Sequence, residues 1–176
     1  MDELIGIETF HIPALLVVGK ELRYSDDALN AGDNRLPAFW DECESTNIFA
    51  PLESQPNFVF DPSHAGVFLD WYLGDGDFSH VVGLLMKPGA EIPGGYFVRE
   101  LPAAEVAHCR IRCKSLLERR AISFEPIASG LASIGRSCAD MKWCADLFHP
   151  ARSVAQDENG YAILDCLIPL DAASIS

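Results

Sequence analysis

Asp146 is the residue of this sequence best placed for binding chemistry. It stands in the run Trp143-Cys144-Ala145-Asp146-Leu147-Phe148, with apolar side chains on either side. A carboxylate desolvated in such surroundings is costly unless a cation or hydrogen bonds compensate it. Asp146 is therefore either an anionic anchor for a ligand or a solvated residue on the outer face of a strand. Aromatic residues would complete an anchor site, and Trp40, Trp71, Trp143, Phe68 and Tyr96 are candidates for an aromatic box. A cation over such a ring gains roughly 0.5–2 kcal/mol per good contact. For any one ring a place in the core is the favoured reading, but at least two are expected to line a cavity. His80 faces the same way as Val82 and Leu84 in an apolar strand. It is either a satisfied core or rim residue, or a polar contact or acid/base group in the pocket.

No catalytic constellation accompanies these residues. The sequence has no G-x-S-x-G, no P-loop and no H-E-x-x-H. His108 and Cys109 cannot act together on a strand, because neighbours point to opposite sides. The six cysteines form no C-x-x-C pair and several lie in apolar segments, so buried, reduced thiols are expected. A metal site at Cys109, Cys113 and His108 would need a second ligand pair of matching spacing, and none exists. Neither a metal nor a cofactor is expected.

The formal net charge of −13 repels nucleic acid phosphates, and no Lys/Arg stripe offsets it. The basic clusters Arg110–Lys114 and Arg119-Arg120 are short. Direct nucleic acid binding is thus not expected, whereas a cationic ligand or a basic protein partner is favoured. A chain of 176 residues with 49% hydrophobic content suits one domain with a full core. No apolar run reaches the roughly 18–20 residues of a membrane span, and the opening MDELIGIETF lacks the basic start of a signal peptide. These features predict a soluble cytoplasmic protein.

Periodicity places the elements that must position the candidate residues. Thr9–Leu22 reads as a first strand, with Gly19 a bulge or close-approach point. Arg35–Ser45 reads as a short helix, since Leu36, Phe39, Trp40 and Cys43 recur at i, i+3, i+4 and i+7 and Pro37 fits the first turn. Asn47–Ser63 is a proline-rich loop with an edge segment around Asn57–Phe60. Gly66–Tyr72 and Phe78–Lys87 are strands joined through the Gly74-Asp75-Gly76-Asp77 turn. The second of these is apolar on both faces and should be central. Gly83 at its middle leaves a gap for a ligand or for another chain segment. Tyr96–Ile111 is a further strand that must bend or lie at an edge at Pro102. Leu116–Arg120 suggests a helical turn and Pro126–Met141 a second long helix. Trp143–Phe148 and Gly160–Leu170 are strands separated by a polar turn at Arg152–Asn159.

Strand, helix, strand, strand thus occurs twice. Ile12-Pro13-Ala14 is echoed by Leu101-Pro102-Ala103, with Val17 and Val106 following, and each half ends in an apolar strand that meets a proline. An α+β fold is expected, a duplication with pseudo-twofold symmetry. Repeat one spans about residues 7–88 and repeat two about 96–171. Two antiparallel sheets and two main helices would then enclose a cleft between the halves, a usual place for a small-molecule pocket.

Taken together, these motifs resemble the GyrI-like small-molecule-binding domain, the effector-binding domain of bacterial AraC- and MerR-type transcription activators. The matching stretches are Pro13–Gly19, Leu36–Trp40, Gly66–Asp70, Phe78–Leu84, Leu101–Ala103 and Leu167–Leu170, and they span nearly the whole chain. The resemblance implies a hydrophobic pocket with a buried acid that receives lipophilic cations. The family's "E-x-Y" falls on Asp146-Leu147-Phe148, so the acid is shorter and the tyrosine hydroxyl is lost. His80 stands at the family's strand tyrosine, and Val106 where its "IPA-x-x-Y" ends. The implied activity is a stand-alone sensor or sequestering module for a cationic, lipophilic ligand, not a complete transcription factor. Two alternatives are hydrolysis of reactive cyclopropane-type compounds, with Asp146 and His80 as an acid/base pair, and binding of a protein partner in the manner of the gyrase inhibitor.

Overall fold

The computed structural model describes residues 2–25, 32–70, 77–114, 124–138, 142–149 and 156–172. The elements are β1 (Glu3–Ile12), β2 (Leu15–Ser25), α1 (Leu36–Ser45), α2 (Ala50–Glu53), β3 (His64–Leu69), β4 (Asp77–Met86), β5 (Phe97–Leu101), β6 (Ala104–Cys113), α3 (Glu125–Ser133), β7 (Trp143–Phe148) and β8 (Ala162–Pro169). All eight strands form one antiparallel sheet in the order β1-β6-β8-β7-β3-β4-β2-β5. The fold is α+β and duplicated, as the repeated motifs predict. The two expected sheets are joined edge to edge through the β3–β7 pairing into one.

The proline breaks explain the order. Each long strand expected from periodicity is two, cut at Pro13 between β1 and β2 and at Pro102 between β5 and β6. Proline donates no ladder hydrogen bond and fixes φ, so the chain turns there and changes partner. β2 pairs with β4 of its own half, while β1 crosses to pair with β6 of the other half. Symmetrically, β5 crosses to β2. Superposing the two breaks lays β2 on β6, and the registers then carry Gly19–Gly83 onto His108–Leu167 and Ala65 onto Ala145. Gly66 and Asp146 become equivalent, and they are also register partners, so the pseudo-twofold axis passes between them.

β4 is buried along almost its whole length between β2 and β3, the central position expected of it. The gap at Gly83 is occupied by chain, not by a pocket. A Cβ at Gly83 would lie 1.9 Å from the Val18 carbonyl oxygen, and one at Gly19 2.0 Å from that of Val82. Gly19 is thus a close-approach point with no shift of register. Val59 makes a single bridge to Met86, the edge segment anticipated near Asn57–Phe60.

Both main helices cover the same face. Trp40 and Cys43 of α1 pack with Val18, Val82 and Leu84, and Ile127 and Leu131 of α3 with Ile111, Leu164 and Cys166. Phe148 touches both clusters. The other face carries its own core, including Val17, Val67, Val81, Leu85 and Trp143. α3 is shorter than the Pro126–Met141 stripe suggested, because Gly135 adopts φ 69° and closes the helix. The Arg136 amide bonds to the Leu131 carbonyl at 2.9 Å and the Gly135 amide to that of Ala132 at 3.0 Å, a Schellman ending. The turn at 71–76 and the suggested turn at Leu116–Arg120 lie outside the described residues, as does the first half of Arg152–Asn159. Among the described residues, no helix is long and apolar enough to cross a membrane.

Candidate functional site

The helix-covered face meets the pseudo-twofold axis at Gly66 and Asp146. β3 presents Gly66 and Phe68 there, β4 presents His80, and β7 presents Cys144, Asp146 and Phe148. α1 lowers Trp40 onto this patch, because Leu36, Trp40 and Cys43 form its buried stripe. Gly66 makes the approach feasible: a Cβ there would meet Trp40 at 2.8 Å and His80 at 3.0 Å. The Trp40 ring stands edge-on to Phe148 with centroids 4.7 Å apart, and Phe68 lies 4.4 Å from His80. Four aromatic or heteroaromatic rings therefore gather beside one carboxylate. Asp146, Cys144 and Phe148 keep partial exposure.

Electrostatics distinguish the two titratable groups. Burial pushes the Asp146 carboxyl up to about 6, partly opposed by a hydrogen bond that the Cys166 thiol donates to Oδ1 at 3.1 Å. No Lys, Arg or His pairs with Asp146 among the described residues. Burial lowers His80 to about 3, so its ring is neutral. Its Nε2 accepts a hydrogen bond from Trp40 Nε1 at 3.1 Å, which leaves the ring proton on Nδ1, a buried atom with no partner among the described residues. A ring of such low basicity is a poor proton acceptor, which weighs against the acid/base pair.

Of the eight candidates, the structure brings together Asp146, Trp40, His80, Phe68 and Phe148. Trp143 is not with them. Three residues before Asp146 on one strand, it points to the opposite face and is buried in that face's core. Tyr96 is also elsewhere. It precedes β5, four strand spacings or about 19 Å from β7 in the sheet order. There its hydroxyl donates to the Ile48 carbonyl at 2.7 Å, and Lys20 Nζ lies 4.3 Å from its ring centre. It lines a separate cavity of about 650 Å3 with Lys20, Phe39 and Glu42. Trp71 lies outside the described residues.

The sequence reading missed Gly66 and Cys166. Gly66 could have been found as a strand glycine set between the large same-face residues His64 and Phe68, the pattern of close approach. Nothing local marks Cys166, which reaches Asp146 only through the β7–β8 register. None of the six cysteines is in a disulfide; Cys43, Cys109, Cys113 and Cys166 are buried. Burial raises Cys109 and Cys113 to about 11, so these are protonated thiols. No cluster able to hold a metal occurs among the described residues.

No protein-family model and no curated protein matches the chain. Solved structures do match. SAV2435 bound to tetraphenylphosphonium superposes with a TM-score of 0.65 at 11% identity, over 96% of this chain and 95% of that one. A putative bacterial transcription regulation protein from Staphylococcus aureus MU50 gives 0.64 at 12% identity, over 95% and 99%. An integron cassette protein from the mobile metagenome of Vibrio cholerae gives 0.58 at 10%, over 97% and 99%. The chain therefore shares its whole fold with a protein solved with a cationic ligand and with a putative bacterial transcription regulation protein.

Proposed function

We propose that this protein binds a lipophilic organic cation between its two halves and acts as a sensor or sequestering module for it. Asp146 carries the reading. It is a carboxylate driven up to about 6 by burial, beside Trp40, Phe68 and Phe148, with no cationic partner among the described residues. A delocalised cation would restore the missing charge compensation while its apolar surface covers the rings. The shared fold with a tetraphenylphosphonium-bound protein supports the same ligand class. The charge of −13 would draw cations in and keep nucleic acid away.

The test is a thermal-shift and calorimetric titration with tetraphenylphosphonium against wild type and Asp146→Asn. At 100 times its dissociation constant, a ligand adds about 2.7 kcal/mol of stability. Stabilisation of wild type that largely disappears in Asp146→Asn is expected. Equal stabilisation of both would remove Asp146 from the site, and none in wild type would sink the reading.

A further inference from the structure

The face opposite Asp146 carries a second constellation. His108 on β6 and Asp165 on β8 point to this face, with Nε2 and Oδ1 2.6 Å apart. Asp165 is 2% exposed. A carboxylate at that distance accepts the Nε2 proton, so in the neutral ring the lone pair sits on Nδ1. The turn leading into β3 closes over the pair, its shape set by the Ser63 amide bonding to Asp61 Oδ1 at 2.8 Å. Between them is a cavity of about 170 Å3, walled by Phe10, Phe60 and Leu147. Ser63 is itself 2% exposed. Among the described residues, no hydrogen bond reaches its hydroxyl, His108 Nδ1 or Asp61 Oδ2.

The fold does not require this arrangement, as its symmetry mate shows. In the first half, Gly19 replaces His108, Gly83 replaces Leu167 and Val81 replaces Asp165. The two glycine backbones close on each other there and no space is left. A buried polar pair that the scaffold can do without points to a function.

We propose that this cavity is a second ligand site, which takes the head group of a short primary alkylammonium ion. The polar residues that line it, His108, Asp165, Asp61 and Ser63, offer mainly acceptors: two carboxylates, a two-way hydroxyl and, in the neutral His108 ring, Nδ1. An ammonium group has three donors and one charge to match them. The apolar walls leave room for only a short chain, because the cavity is below the roughly 300 Å3 of ordinary drug-sized pockets. A quaternary cation has no donor to give, so the two faces select different cations.

A methyl NMR titration with n-propylammonium chloride, read at Leu147 and Leu167, tests the site. Saturable shifts are expected, with a dissociation constant at least tenfold higher in Asp61→Asn and in Ser63→Ala. Saturating tetraphenylphosphonium should not displace n-propylammonium, and 1-propanol and tetramethylammonium should bind at least tenfold more weakly. The proposal is overturned by an absence of saturable shifts at these methyls, by equal affinity for tetramethylammonium, or by unchanged affinity in both variants. The result stands apart from whether the Asp146 site binds its own ligand.

Discussion

Gly66 and Asp146 occupy the same place in the two halves of the sheet and face each other across its centre, yet they do opposite things. In the first half the glycine gives up a side chain so that Trp40 can descend onto the sheet beside His80. In the second half the aspartate brings a carboxylate into the space beside them. The same contrast holds on the other face, where Gly19 and Gly83 close against each other while His108 and Leu167 border a cavity. One half supplies close packing and the other supplies polar chemistry. A duplicated backbone thus gives matching positions in which only one copy is committed to holding the structure together.

The largest expected effect tests that division on the lower face. Gly83→Val places a Cβ 1.9 Å from a backbone oxygen, and should cost at least ~3 kcal/mol or prevent folding. The equivalent change in the other half, Leu167→Val, should cost only about 1 kcal/mol. Denaturant unfolding measures both, and equal losses would break the comparison.

Asp146→Asn comes next. The folded-state carboxyl is raised to about 6 from 3.8, so the folded protein holds the proton more firmly than the unfolded chain. Stability therefore falls as pH rises from about 4 to 6, and the cost is full above 6. Asn removes it, stabilising the ligand-free protein by about 1–3 kcal/mol at pH 7 with the gain fading toward pH 4. Tetraphenylphosphonium affinity should move the other way in wild type, strengthening as pH rises through 6. A variant no more stable than wild type at pH 7 would mean that Asp146 is not desolvated.

Trp40→Phe keeps the ring against Phe148 but removes the donor to His80 Nε2. It should cost about 1–2 kcal/mol in a urea melt. It should also raise the His80 pKa, seen by NMR titration of the ring, because removing Trp40 Nε1–H leaves Nε2 free to take a proton. The smallest effects belong to the two breaks. Pro13→Ala and Pro102→Ala should each lose about 0.5–1 kcal/mol, mainly through the unfolded chain. Matching losses would sharpen the equivalence of the halves.

The duplication was legible because the Ile12-Pro13-Ala14 and Leu101-Pro102-Ala103 motifs recur with helix and strand patterns in the same order. Partner exchange was not, since a proline announces a break without naming the strand that the next segment joins. His80 was assigned to the correct face by period two. The same rule separates Trp143 from Asp146, and the attraction of a nearby tryptophan hid that. Tyr96 was misplaced for a different reason. Its distance from Asp146 depends on the order of strands in the sheet, which one chain's periodicity does not encode. The His108–Asp165 pair was invisible for the same cause, because the two residues meet only through the β6–β8 register.

The crossing of β1 and β5 has a consequence for how the protein is made. Ile7 finds its partner only when Cys109 exists, and Leu16 of β2 waits for Glu100. During synthesis the first half must leave the ribosome with β1 detached and both edges of its three-stranded sheet open, β2 waiting for β5 and β3 for β7. β1 cannot find its partner until roughly 25 further residues, through Cys113, have arrived, about one to five seconds at ordinary elongation rates. Pairings of such long sequence separation also slow the final closure. A truncated chain that stops before residue 97 would thus carry an unsatisfied edge, the kind of surface on which chaperones and aggregates compete.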